Sequence, residues 1–324
     1  MSAQTVSRVI NNKAEVSPET RKRVLRIIEE MGYQTNALAR GLATRETKTI
    51  GLVIPDIMNP YFTGITRGVE DAANQRGYNV ILCNSDEKPE KEITYLRLLQ
   101  SKQVDGIIVC SSRLEDERLS SSLSRSKRVV LVNREPVNTQ MGSVMVDNQG
   151  GAAAAVSHLI DLGHARIGYL NGRPTSNSTN ARLSGYKETL RRIGLAQDPE
   201  LVVDDSPDIN GGHRAAIRLL RLKKPPTAML CFNDLMAVGA LRACLSLGRA
   251  VPDQMSVVGL DGIQVSEVVT PPLTTIRVPQ YDTGRQAMEA LAKLLADESL
   301  TLPKVVVPTE LVVRSSTGPC PNHA

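Results

Sequence analysis

No stretch of about 18 consecutive apolar residues occurs in the 324-residue chain, and no apolar leader precedes its first helical pattern. The protein is therefore expected neither to span a membrane nor to be secreted. Its five cysteines, Cys83, Cys110, Cys231, Cys244 and Cys320, are odd in number and without CxxC spacing. They read as free, mostly buried thiols in a reducing cytoplasm rather than as a disulfide framework or a zinc site. The four histidines show no metal-ligand spacing either; His158 and His164 bracket a helix end. No nucleophile stands beside a base and no phosphate-binding loop is found, so neither a catalytic residue, a cofactor nor a metal is expected. What the chain does have is 41% apolar and 23% charged residues, the balance of a folded soluble protein with enough length for two or three domains.

The charge is unevenly spread. Residues 1–48 hold nine Lys/Arg against five Asp/Glu, whereas the remaining residues hold 30 against 29. A basic head on a nearly neutral body points to an anionic polymer as partner. Within the head, Val6, Val9 and Ile10 share one face of a first helix. A second helix is punctuated by Ser17 as N-cap and Pro18 at its first position, carries Val24, Ile28 and Met31 at helical spacing, and stops at Gly32. A polar linker, "QTNALARGLATRETK", follows.

From residue 49 short apolar runs alternate with amphipathic stretches: "TIGLVIPD", "NVILCNS", "DGIIVCSS", "RVVLVN", "RIGYLNG", "TAMLCFND" and "MSVVGLDG". Runs of this kind are buried parallel strands, and their alternation with helices predicts right-handed βαβ units. The body is too long for one small sheet, so two doubly wound lobes with a cleft between them are expected. The tail "SSTGPCPNHA" reads as disordered.

The stretch "AQTVSRVINNKAEVSPETRKRVLRIIEEMGYQTNALARGLATRETKTIGLVIPD" resembles the head of bacterial transcription regulators of the lactose-repressor and galactose-repressor family. The motifs "NPYF", "LVNR", "DNQGG", "GHARIGYL", "FNDLMAVGAL", "VPDQMSVVGLDG" and "PPLTTIRVP" continue the likeness to about residue 314. The resemblance implies a helix-turn-helix head at 1–34, a hinge segment at 35–48, and a two-lobed, periplasmic-binding-protein-like (type I) α/β core at 49–316. Lobe one would take residues 49–147 and 277–306, lobe two 148–276 and 307–316, with a disordered end at 317–324. It also implies a repressor that binds a palindromic operator in double-stranded DNA as a homodimer under control of a small effector, a monosaccharide or derivative. The alternative is a sugar-binding protein without DNA contact.

By the same resemblance the recognition helix spans residues 2–10. Ala3, Gln4 and Arg8 would then face base edges, and Thr5, Ser7, Asn11, Ser17 and Thr20 the phosphates. Asn36 and Leu42 fall in the hinge, Leu42 at the position of the leucine that the family wedges into the minor groove. The family's head also carries about a dozen further residues before "SAQTVSR". A natural start upstream of Met1, supplying a first helix, is therefore expected.

In open α/β sheets ligands bind at the carboxyl ends of strands. Tyr61, Phe62, Asn133, Arg134, Asn233 and Asp261 all follow strand-like runs, and Arg182 opens the helix after "YLNG". Phe62 and Phe232 are the only phenylalanines, and tryptophan is absent. The resemblance implies that seven of these residues, Tyr61, Phe62, Asn133, Arg134, Arg182, Asn233 and Asp261, hold the effector, whereas by position alone Asn233 and Asp261 could serve merely as helix caps. Two positions depart from the family pattern: Asn133 stands where Asp is common, and Val278 where Gln is common.

Overall fold

A computed structural model describes residues 2–10, 15–31, 46–174 and 176–321. The chain divides into two units, residues 1–49 and 50–324. In the first, α1 (Ala3–Ile10) and α2 (Pro18–Glu30) bury Val9 and Val24. Ser17 caps α2 by accepting a hydrogen bond from the Thr20 amide, and Pro18 occupies the first helical position, where a missing N–H costs nothing. Met31, expected on the buried stripe, is 74% exposed because α2 ends at Glu30 and Met31 has become its C-cap. Gly32 lies outside the described residues.

The second unit contains two sheets. The first is built from β1 (Thr49–Ile54), α3 (Pro60–Asn74), β2 (Asn79–Asn84), α4 (Pro89–Ser101), β3 (Gly106–Cys110), α5 (Asp116–Leu123), β4 (Val129–Val132) and β5 (Gly142–Val146). The second follows with α6 (Asn148–Asp161), β6 (Ile167–Asn171), α7 (Asn177–Arg192), β7 (Val202–Asp204), α8 (Ile209–Leu220), β8 (Ala228–Cys231), α9 (Asp234–Ser246), β9 (Ser256–Asp261), α10 (Val265–Val268) and β10 (Thr274–Arg277). The chain then returns through α11 (Gln280–Ala296) and β11 (Val305–Val307) to the first sheet, and ends with β12 (Glu310–Val312) in the second. The sheet orders are β11-β5-β4-β3-β1-β2 and β12-β10-β9-β8-β6-β7. β10 and β12 pair antiparallel, while β1, β3, β4, β5 and β11, and likewise β7, β6, β8, β9 and β10, pair parallel in sequence along their sheets.

Each of the seven apolar runs is a strand. The runs miss five strands: β7, β11 and β12, whose residues are mostly half-buried or exposed at sheet edges, and the interior β5 and β10, whose sequences GSVMV and TTIR interrupt the apolar run with small or polar residues. An edge strand has no need of continuous apolar sequence.

The lobes are joined three times, between β5 and α6, between β10 and α11, and between β11 and β12. The Asp147 amide donates to the Val307 carbonyl at 3.0 Å, tying two of these crossings together. In lobe one α11 lies against α3 at close range: a Cβ on Gly68 would sit 2.0 Å from the Tyr281 carbonyl oxygen, and one on Gly284 2.0 Å from that of Ile65.

The tail differs from expectation. His158 Nε2 lies 3.0 Å from Thr317 Oγ1, and the Cys320 amide donates to the Leu162 carbonyl at 2.8 Å. The buried His164 reaches Thr227, Ser256 and the Gly318 carbonyl. Residues 317–321 thus cover the amino ends of β8 and β9 and add the Gly318 carbonyl to the partners of a buried imidazole that Thr227 and Ser256 also hold. Cys83, Cys110, Cys231 and Cys244 are buried free thiols and Cys320 is half-buried.

Candidate functional site in the interlobe cleft

Strand polarity brings the carboxyl ends of β1, β2, β3, β8 and β9 toward the gap between the sheets. The cleft there is lined by Asn59, Tyr61, Phe62, Glu87, Ser111 and Arg113 from lobe one, and by Ser176, Ser178, Arg182, Pro207, Phe232, Asn233 and Asp261 from lobe two. The backbone at four strand ends is left-handed, with φ of 58° at Glu87, 46° at Ser111, 54° at Asn133 and 122° at Asp261. None of these is glycine, so each carries local strain of the kind held at ligand sites.

Arg182 is the hub of lobe two. Its side chain is buried in the first half of α7; Nε donates to Asn148 Oδ1 at 2.8 Å, one terminal nitrogen to the Phe232 carbonyl, and the other to Asp261 Oδ1 at 2.9 Å. The guanidinium also stands over the Phe232 ring, 4.7 Å from its centroid, a cation–π arrangement in a dry site. Burial pushes the Asp261 carboxyl up to about 6, with Arg182 opposing the rise. Removing one partner of such a pair leaves a buried charge unmatched, at a cost of about 3–5 kcal/mol.

Lobe one supplies a second pair. Arg113 grips Glu87 through Nε at 2.5 Å and through a terminal nitrogen at 2.8 Å, and spends its other terminal nitrogen on the Ser111 carbonyl. Tyr61 and Phe62 meet edge to face, with centroids 5.1 Å apart. Burial holds the Tyr61 phenol well above its ordinary range. The open space among all these groups is about 30 Å³, far below the roughly 300 Å³ of small ligand sites. A ligand of sugar size enters only when the lobes part.

Of the seven cleft residues expected from the sequence, Tyr61, Phe62, Arg182, Asn233 and Asp261 line the cleft. Asn233 is also a cap: its Oδ1 accepts from the Met236 amide at 2.8 Å and its Nδ2 donates to the Pro207 carbonyl at 3.0 Å. Asp261 is no cap, since Gln264 occupies that position for α10. Asn133 and Arg134 stand behind the lining. Asn133 donates to the Tyr61 hydroxyl at 2.7 Å and accepts from the Val146 amide. Arg134 donates to the Leu114 carbonyl and Asp116 in lobe one, and across the gap to Asn177 Oδ1 at 3.2 Å in lobe two. Val278 is buried in the lobe-one core, and Gln280 instead sends an amide to the Asp261 carbonyl at 2.5 Å.

Sequence reasoning passed over Glu87, Ser111 and Arg113, although they too follow apolar runs, in "NSDE" and "SSR". It also passed over Asp234, which is fully buried, accepts from the Ile263 amide at 2.8 Å and bonds Thr275 at 2.5 Å, thereby fixing the loop that carries Asp261. Burial, aided by the Asp261 charge, pushes the Asp234 carboxyl up to about 8.

In the head, Ala3, Gln4, Thr5, Ser7 and Arg8 lie on α1, Ser17 caps α2 and Thr20 is in its first turn. Arg8 is exposed and pairs with Glu15 at 3.4 Å. Thr5 Oγ1 lies 2.9 Å from the Ser2 hydroxyl. Asn11, Asn36 and Leu42 lie outside the described residues.

Two family models match the chain. "Bacterial regulatory proteins, lacI family" covers residues 1–36, and "Periplasmic binding proteins and sugar binding domain of LacI family" covers residues 47–312. The chain is 38% identical over 318 residues to the HTH-type transcriptional regulator RegA of Clostridium saccharobutylicum, covering 98% of this chain and 96% of that protein. Among solved structures it is similar to the lac repressor dimer bound to operator and the anti-inducer ONPF, with a TM-score of 0.89 and 28% identity over 98% of this chain and 96% of that one. A complex of the transcriptional regulator CelR with cellobiose matches with a TM-score of 0.77 and 32% identity, over the same shares of each chain.

Proposed function

The chain belongs to the LacI family of bacterial regulatory proteins, and from that premise we propose that it is a cytoplasmic, homodimeric repressor whose operator affinity is set by a polyhydroxylated effector held between the lobes. The observation that carries this reading is the buried Arg182–Asp261 pair beside Phe232, facing Tyr61 and Phe62 across the cleft. Aromatic faces pack on the C–H side of a sugar ring, while carboxylate and guanidinium groups take its vicinal hydroxyls. The α1 helix, with Gln4 and Arg8, reads the major groove, and the hydroxyls of Thr5, Ser7, Ser17 and Thr20 contact phosphates. The segment 35–48, with Asn36 and Leu42, links the head to the core.

The effector acts by linkage. It shifts operator affinity only as far as it distinguishes the closed from the open lobes, commonly about 1–3 kcal/mol. The cleft binds rather than catalyses: its two lining carboxylates are locked to arginines, and the Ser176 hydroxyl caps α7.

The test is an operator shift assay on palindromic DNA with and without candidate sugars. Arg182→Ala and Asp261→Ala should keep operator binding and lose the effector response. Equal effector affinity in wild type and both variants, measured by calorimetry, would refute the assignment, and failure of the wild type to bind any palindrome would refute the repressor reading.

A further inference from the structure

The charges lining the cleft cancel. Among the described residues that line it, four have acidic or basic side chains, Glu87, Arg113, Arg182 and Asp261, two of each sign. They are also matched individually: Arg113 to Glu87 through two hydrogen bonds, and Arg182 to Asp261 through one, in a pair whose side chains are 4% and 5% exposed. Every guanidinium nitrogen of Arg113 and Arg182 also already makes one hydrogen bond within the protein, which leaves two N–H donors on each. The remaining terminal nitrogen of Arg113 goes to the Ser111 carbonyl, and Arg182 gives its other two nitrogens to Asn148 and Phe232. Arg134, the next cation behind the lining, is committed to Leu114, Asp116 and Asn177.

We propose that the cleft is built for an uncharged polyhydroxylated ligand and against its phosphate ester or carboxylate, and that the Glu87–Arg113 pair is the lobe-one determinant of this choice. The inference rests on the proposed effector site. An anion entering the cleft must leave water and finds every cation already neutralised at contact distance; gaining one means breaking an ion pair and stranding its carboxylate. Hydroxyl groups suffer no such conflict. They can donate to Asp261 Oδ2, which no other described group engages, and to the outer lone pairs of Glu87, and can accept from guanidinium edges without separating either pair. Specificity arises here from a repulsive element as much as from an attractive one.

Because Glu87 is what neutralises Arg113, Glu87→Gln leaves a free guanidinium and a cleft of net charge +1. The experiment uses the full chain and three matched pairs of probes: glucose and glucose 6-phosphate, ribose and ribose 5-phosphate, cellobiose and cellobionate. Affinities are read by calorimetry at one ionic strength, with Asp261→Ala reporting whether binding occurs in the cleft. The wild type should prefer the neutral member of any pair it binds by at least about tenfold. Glu87→Gln should shrink or reverse that preference by about tenfold, and the double variant Glu87→Gln/Arg113→Gln, neutral again, should restore it. Restoration separates charge balance from simple damage to the fold.

Three results overturn the inference: an anionic probe that binds the wild-type cleft as tightly as its neutral partner, a preference unchanged in Glu87→Gln, or binding of no neutral probe. The first two leave the effector-controlled repressor standing. The third counts against both.

Discussion

At the scale of single residues, the ionisation of Asp261 sets a pH dependence. Its carboxyl is raised to about 6 by burial, so the folded protein takes up a proton as pH falls through that value. A hydroxyl that donates to the carboxylate favours its ionised form. Effector affinity should therefore be level above about pH 7 and fall by up to tenfold per unit below pH 6, with the loss absent in Asp261→Asn. Calorimetric titrations from pH 5 to 8 decide it; a flat profile in the wild type would mean that the ligand does not use this oxygen. Arg134 makes a second residue-level case. Its bond to Asn177 spans the lobes, so Asn177→Ala should loosen the closed form by about 1 kcal/mol, weaken effector binding roughly fivefold and speed association. Stopped-flow binding separates these effects, and unchanged rates would show that the contact does not restrain closure.

At the scale of elements, close helix contact replaces side-chain interlocking where α3 meets α11. Gly68 and Gly284 each face a carbonyl oxygen of the other helix, so neither site accepts a Cβ without moving backbone. Gly68→Ala should destabilise the core by about 1–3 kcal/mol, seen as a lower transition temperature in calorimetry. An unchanged transition would mean that the two helices separate freely. The clamp of residues 317–321 on His158 and His164 works differently, through hydrogen bonds to imidazoles whose pKa values burial holds low. Neutral rings suit the buried clamp, which protonation would disrupt by placing a charge among Thr227, Ser256 and the Gly318 carbonyl.

At the scale of the whole molecule, lobe two presents apolar side chains to solvent on α9 and α10, with Leu245 81% and Val268 73% exposed. An apolar face of this kind is suited to a second copy of the chain, in which residue contacts repeat across a two-fold axis. Leu245→Asp should shift the protein toward monomer in analytical ultracentrifugation and weaken binding to a palindrome far more than binding to a half-site, because two heads then no longer act as one. Retention of the dimer would place the interface elsewhere.

Periodicity and punctuation in the sequence by themselves determined the alternation of strand and helix, the two-lobed parallel architecture and the helical head. Those signals are local: a buried parallel strand needs a continuous apolar run, and a helix needs its stripe and its cap. The rule that ligands meet strand carboxyl ends also located Tyr61, Phe62, Arg182, Asn233 and Asp261. Tertiary structure alone decided where those side chains lead. Arg182 meets Asp261 across 79 residues and Arg113 meets Glu87 across 26, and no local pattern announces a partner so distant. It turned Arg134 away from the cleft to span the lobes, placed Asn133 behind Tyr61, and anchored a polar tail that composition alone reads as loose. The physical reason is the same in each case: a charged or polar side chain is directed by the desolvated group that can satisfy it, and that group is supplied by the fold rather than by its neighbours in sequence.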